Sequence, residues 1–203
     1  MNNIAVIPAR SGSKRLPRKN YLPFNSRTLV EIARDKCLKA GIFDQICITS
    51  DDPYFKKFTN HKSVEFLLRP DSLTNDQATT DKVVDFLFEE RGTCTNLLWV
   101  NSVSPLQSLA DIESCAQKLM EPDIDAVMAV NTLYQHCCVE GSPINFTVDV
   151  PFERTQDLIP IQRYVYSCMG WNRQVYTTAR QSGFMGLFPG NIALVEVGPL
   201  AGM

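Results

Sequence analysis

The stretch Ile4-Ala5-Val6-Ile7-Pro8-Ala9-Arg10-Ser11-Gly12-Ser13-Lys14-Arg15-Leu16-Pro17-Arg18-Lys19-Asn20 decides how this chain is read. Ile4 to Ile7 is a short continuous apolar run, the pattern of a strand buried on both faces. The segment after it packs Arg10, Lys14, Arg15, Arg18 and Lys19 into one loop. Gly12, two serine hydroxyls and two restricting prolines lie among them. Backbone N–H donors beside fixed cations make a cradle for a polyanion. A nucleoside triphosphate, with about four negative charges at neutral pH, matches such a cluster. A solvated basic patch is the bland alternative, and it stays open. Against it stands the position, directly after the first buried strand, where ligands of open α/β sheets bind. Neither GxxxxGK[ST] nor GxGxxG is present, so the signatures of P-loop NTPases and of dinucleotide-binding enzymes are both missing.

Outward from this loop, short apolar runs alternate with amphipathic segments. Thr28 to Ala40 reads as a helix stopped by Gly41. Ile46 to Thr49 reads as a strand, and Asp52-Pro53 as an N-cap followed by a first-turn proline. Val64 to Leu68 is a strand, and Asp81 to Arg91 a helix closed by Gly92. Leu97 to Asn101 is a strand, Leu109 to Met120 a helix, and Ala126 to Val130 a strand. The pattern weakens over residues 131–169, which reads as an excursion from the sheet. Strands are expected again at Gln174 to Thr177 and at Ile192 to Val197. The alternation implies an α/β fold with a mostly parallel sheet and helices on both faces, as one domain over 1–203.

Composition narrows the function. The formal net charge of −2 argues against a nucleic-acid polymer as partner. The seven cysteines are odd in number and show no CxxC spacing, so they read as reduced core residues of a cytoplasmic protein. His61 and His136 have no partners at metal-ligand spacing, and no metal ligands are assigned. No apolar run is long enough to span a membrane and no secretory signal is visible.

The string from Ile7 to Asn20 resembles the signature of the acylneuraminate cytidylyltransferases. Further segments agree in order: ITSDD at Ile48 to Asp52, LLRP at Leu67 to Pro70, LTNDQATT at Leu73 to Thr80 and VSPL at Val103 to Leu106. RTQDLIP at Arg154 to Pro160 and GWNRQVY at Gly170 to Tyr176 are looser matches. The resemblance implies a nucleotide-diphospho-sugar transferase, Rossmann-like fold. It implies transfer of CMP from CTP to the anomeric hydroxyl of a sialic-acid-like 2-keto acid sugar, with release of pyrophosphate. Carried over by position, Arg10, Ser13, Lys14 and Lys19 hold the triphosphate, with Lys19 stabilising charge at the transferred phosphorus. Asn20 shapes the loop, and Arg69 faces the nucleotide. Thr79 or Thr80 contacts base or ribose, although both also suit a helix N-cap. Asn101, Ser104, Gln156 and Asn172 belong to the wall facing sugar and nucleotide. Asp51 and Asp52 are open between metal binding and capping. Trp99 and Trp171 read as packing.

The resemblance also implies Mg²⁺ held by an Asp-x-Asp motif after the last strand. The residues from Val197 to Met203 contain no such pair. A homodimer formed through residues 131–169 is implied in the same way. Asn101 and Val103 stand where glutamine and threonine are common, and Arg173 where glycine is. Two alternatives remain: a CMP-3-deoxy-octulosonate synthetase, disfavoured by the lack of an acidic residue over Asn101 to Pro105, and an inactive nucleotide-binding homologue.

Overall fold

The structure is a computed structural model and describes residues 2–13, 16–75 and 77–202. Seven strands form one sheet: β1 (Asn3–Pro8), β2 (Gln45–Ser50), β3 (Val64–Leu68), β4 (Asn96–Val100), β5 (Ala126–Leu133), β6 (Ile161–Asn172) and β7 (Ile192–Glu196). Their order across the sheet is β7-β5-β6-β4-β1-β2-β3. All neighbours pair in parallel except β6, which runs antiparallel between β4 and β5. From β1 the chain builds outward through β2 to β3, then returns to the other side of β1 with β4. That reversal of direction opens a crevice at the carboxyl ends of β1 and β4.

The helices are α1 (Leu29–Ala40), α2 (Thr80–Glu90), α3 (Leu109–Leu119) and α4 (Arg173–Gln181). Local chemistry fixes their ends. Thr28 with Glu31, and Ser108 with Asp111, form reciprocal capping boxes at α1 and α3. Gly41, at φ 64, ends α1 in the left-handed conformation that glycine adopts without penalty. One apolar layer joins α1 and α3 to the sheet through Val30, Ala33, Cys37, Ile112, Cys115 and Leu119. The opposite layer joins α2 and α4 through Val83, Val84, Leu87, Phe88 and Tyr176, with Trp99 and Trp171 inside it. Helices therefore cover both faces, as the alternation predicts.

Three sequence expectations need correction. Gln174 to Thr177 is not a strand but part of α4. Asn172 accepts hydrogen bonds from the Gln174 and Val175 amides (3.0 and 3.4 Å), an N-cap that starts a helix at once. The run Val175-Tyr176-Thr177, two β-branched residues around an aromatic, imitates strand composition, but Tyr176 is anchored from the helix to Asp85 (3.0 Å). Second, the irregular excursion is shorter than 131–169. Strand β5 runs on to Leu133 and β6 begins at Ile161, because these ends pair with each other beyond the sheet edge. Third, two cysteines are not core residues. Five of the seven are buried, but Cys137 is half-buried and Cys138 is exposed, in the excursion.

Candidate active site

The basic loop leaves β1 at the carboxyl edge and is fastened at several points. The Ala9 amide donates to Thr49 O (2.9 Å) and the Ser50 hydroxyl to Ala9 O (2.6 Å). Asn20, only 3% exposed, donates from Nδ2 to Arg10 O (2.9 Å). Its Oδ1 lies 3.1 Å from the Ser102 hydroxyl, which is also 3.0 Å from Pro8 O. One buried amide thus links both ends of the loop to the turn after β4.

Beneath this loop lies a cleft of about 180 Å³. Its walls come from the carboxyl ends of β1, β3 and β4 and from the start of α2. Arg10, Lys19 and Asn20 supply one side, Arg69 and Asn75 another, Thr80 and Val83 the helix side, and Trp99, Asn101, Ser102 and Val103 the β4 side. Arg69 is the unusual member. It is 5% exposed; Nη2 reaches Thr49 O at 3.4 Å, while Nε is buried with no partner, as is the Thr49 hydroxyl beside it. Burial pushes the guanidinium down to about 10; nearby Asp51 raises it and Arg10 lowers it further. A desolvated cation with an unused donor is expensive unless an acceptor arrives.

The structure brings Arg10, Lys19, Asn20, Arg69, Thr80 and Asn101 together around this cleft. Lys14 lies outside the described residues. Ser13 is half-buried in the loop but does not line the cleft. Thr79 is the N-cap of α2, accepting from the Lys82 amide (3.4 Å), and Thr80 is the threonine on the wall. Ser104 sits in the turn after β4, its amide donating to Asn101 O (3.1 Å). Gln156 is exposed on a short helical turn, Thr155–Asp157, within the excursion.

Asn172 is the clear misplacement. Because β6 is antiparallel, its last residue pairs with Asn96 at the start of β4, so Asn172 lies at the opposite edge of the sheet. There its side chain caps α4 and donates to Asn96 Oδ1 (3.3 Å). Asp52 proves a cap as well, accepting from the Tyr54 amide (2.8 Å). Trp171 is fully buried and donates to Leu187 O (3.0 Å), whereas Trp99 both packs in the core and lines the cleft. Ser102 at the cleft and the hydrogen bond from the Ser11 amide to Asp51 were not legible in the sequence. The signal for both was adjacency: loops after β2 and β4 must flank the loop after β1.

A family model described as Cytidylyltransferase matches residues 4–140. The chain belongs to the cytidylyltransferase family. It is 28% identical over 170 residues to an N-acylneuraminate cytidylyltransferase from Streptococcus agalactiae, covering 79% of this chain and 41% of that protein. It is 34% identical over 90 residues to a pseudaminic acid cytidylyltransferase from Campylobacter jejuni, covering 44% of this chain and 39% of the relative. The chain thus spans about two fifths of the length of the relatives it matches. Among solved structures it is similar to a CMP:2-keto-3-deoxy-manno-octonic acid synthetase complexed with CTP. That similarity has TM-score 0.67 at 16% identity and covers 98% of this chain and 92% of the other. At that identity it speaks for the fold alone. The cytidylyltransferase match covers the basic loop and every wall of the cleft. No helix among the described residues is long and apolar enough to cross a membrane.

Proposed function

We propose that this chain transfers CMP from CTP to the anomeric hydroxyl of a sialic-acid-like 2-keto acid sugar and releases pyrophosphate. The observation that carries the reading is Arg69, buried at the cleft with an unused Nε, next to a wall bearing Arg10 and Lys19. A cytidine nucleotide provides both halves of what this wall lacks: acceptor oxygens for the buried guanidinium and a triphosphate for the cations.

In the reaction the sugar hydroxyl oxygen bonds to the α-phosphorus. The bond from that phosphorus to the α–β bridging oxygen breaks, pyrophosphate carries away the electron pair, and the hydroxyl proton passes to solvent. Little covalent chemistry is left to the protein, so positioning and charge neutralisation supply the rate. Arg10 and Lys19 hold the phosphates, and Lys19 offsets charge growing at the transferred group. Thr80 contacts the nucleoside. Asn101 and Val103 lie where the wall opens, and they bias the choice of sugar. At about 180 Å³ the cleft is smaller than ordinary ligand pockets and takes only part of the nucleotide.

Among the described residues no group of three or more His, Cys, Asp or Glu side chains is gathered for a metal. Mg²⁺ is commonly held by one or two carboxylates and the substrate's phosphates, and no carboxylate among the described residues lines the cleft. A homodimer through residues 134–160 is part of the proposal. Val148, Phe152 and Ile159 there are 74%, 83% and 72% exposed, a cost that burial against a second copy removes.

The test is a pyrophosphate-release screen with CTP and several 2-keto acid sugars. Release with CTP and a nine-carbon acidic sugar is expected. Preference for 3-deoxy-octulosonate would favour that alternative, and binding without release would favour the inactive homologue. Equal use of ATP and CTP would discard the cytidine reading.

A further inference from the structure

The turn after β2 holds two adjacent carboxylates in a place that needs explaining. Asp51 and Asp52 stand beside a loop built to attract a polyanion, where negative charge weakens attraction. Their contacts resolve the conflict. The Ser11 amide donates to Asp51 Oδ1 (2.7 Å) and the Ser11 hydroxyl to Asp51 Oδ2. The Tyr21 hydroxyl donates to Asp52 Oδ2 (2.5 Å). Ser11 opens the basic loop and Tyr21 closes it, so neighbouring residues grip its two ends. Each grip is itself supported. Ser50 anchors the turn by accepting from the Asp52 amide (3.0 Å). The Tyr21 ring packs against Tyr54 and Phe55, with Arg18 over its face at 4.5 Å.

We propose that Asp51 and Asp52 act as positioning residues, a two-point clasp that fixes the loop between Ser11 and Tyr21 in the shape that receives a triphosphate chain. The inference rests on the reading of that loop as a triphosphate cradle, not on the identity of the base or the sugar. Fixing a loop before the ligand arrives removes the ordering cost from binding. The clasp's hydrogen bonds act on the phosphate limb, and Asp51 reaches Arg69 through its charge.

The sign of the effect separates the clasp from simple electrostatics. Removing a carboxylate near an anion site strengthens anion binding if charge alone matters. Removing a clasp weakens it. We expect Asp51→Ala to weaken binding of CTP and of inorganic tripolyphosphate about tenfold by calorimetry, and CMP less than about twofold. Asp51→Asn keeps an acceptor for the Ser11 amide and is expected to retain most of the lost affinity. Tyr21→Phe releases the other end and is expected to act in the same direction more weakly. Circular dichroism checks that each variant folds; Asp51→Asn, nearly isosteric, carries the test if Asp51→Ala does not fold.

Unchanged or tighter tripolyphosphate binding in Asp51→Ala would overturn the clasp. So would equal losses for CTP and CMP, or for Asp51→Asn a tightening of tripolyphosphate. Failure of the functional reading looks different. If the wild type binds tripolyphosphate but prefers no nucleotide, cytidine specificity falls and the clasp stands. If the wild type binds no tripolyphosphate, the cradle and the clasp both fall.

Discussion

The two edges of the sheet use similar residue types for opposite ends. At the carboxyl edge, asparagines and arginines surround an opening: Asn20 holds a loop, Asn101 lines a wall, and Arg69 keeps a donor unspent. At the amino edge, asparagines bond to one another. Asn3, Asn96 and Asn172 stand in register on neighbouring strands, and their side-chain amides bond in series (3.0 and 3.3 Å). Arg173 there donates to Arg91 O (2.8 Å) and lies over the Phe88 ring. What separates the two sets of polar residues is the strand end they sit on, not their chemistry. Three asparagines satisfy one another at the amino edge, while the carboxyl edge holds a buried cation with an unused donor.

Substitutions can break or sharpen that contrast. Lys19→Ala at the carboxyl edge is expected to lower pyrophosphate release from CTP by roughly 10²–10³-fold, the usual loss for one stabilising donor. Steady-state kinetics checks it, and a near-normal rate would remove the basic loop from the mechanism. Arg69→Met is expected to weaken CTP binding by about tenfold or more while raising the melting temperature. A flexible apolar chain of similar length removes a desolvated charge that the empty site leaves unsatisfied. A lower melting temperature would show that Arg69 is structural.

Asn172→Ala at the amino edge is expected to do the reverse. It costs about 1 kcal/mol by loss of the α4 cap and leaves the KM for CTP unchanged. A raised KM would return Asn172 to the site and contradict the strand polarity. The smallest effect distinguishes the edges by pH. The Tyr21 hydroxyl, then the Tyr54 amide, hold the Asp52 carboxyl below its ordinary 3.8. Its folded-state pKa is depressed, so its contribution is complete above 3.8 and fades as pH falls through the folded value. Asp52→Asn should therefore melt below wild type at neutral pH and converge with it as the pH falls well below 3.8. Asn3→Ala, in a neutral ladder, should show a deficit with no such convergence.

Much of this arrangement could be read in the chain. The strands β1 to β4 and helices α1 to α3 fall within a residue or two of their expected ends, because apolar runs, caps and Gly41 mark them locally. The loop after Ile7 was legible because it gathers five cations directly after the first buried strand. Two things were not. The antiparallel insertion of β6 depends on pairing with β4 and β5, which no local pattern encodes, and with it went the placement of Asn172. The clasp was hidden for the same reason. Asp51 and Ser11 are 40 positions apart, and only the pairing of Pro8 with Thr49 makes them neighbours.

The place of β6 between β4 and β5 also governs how the molecule comes together. Until the chain has been made as far as Asn172, β4 carries one unpaired flank of N–H and C=O groups and β5 carries two, surfaces that invite pairing with the wrong partner. Closure must then bring distant segments into register, the slow kind of contact to form. Synthesis thus passes through a state with open flanks on both β4 and β5, and a chaperone would have most to protect at that moment.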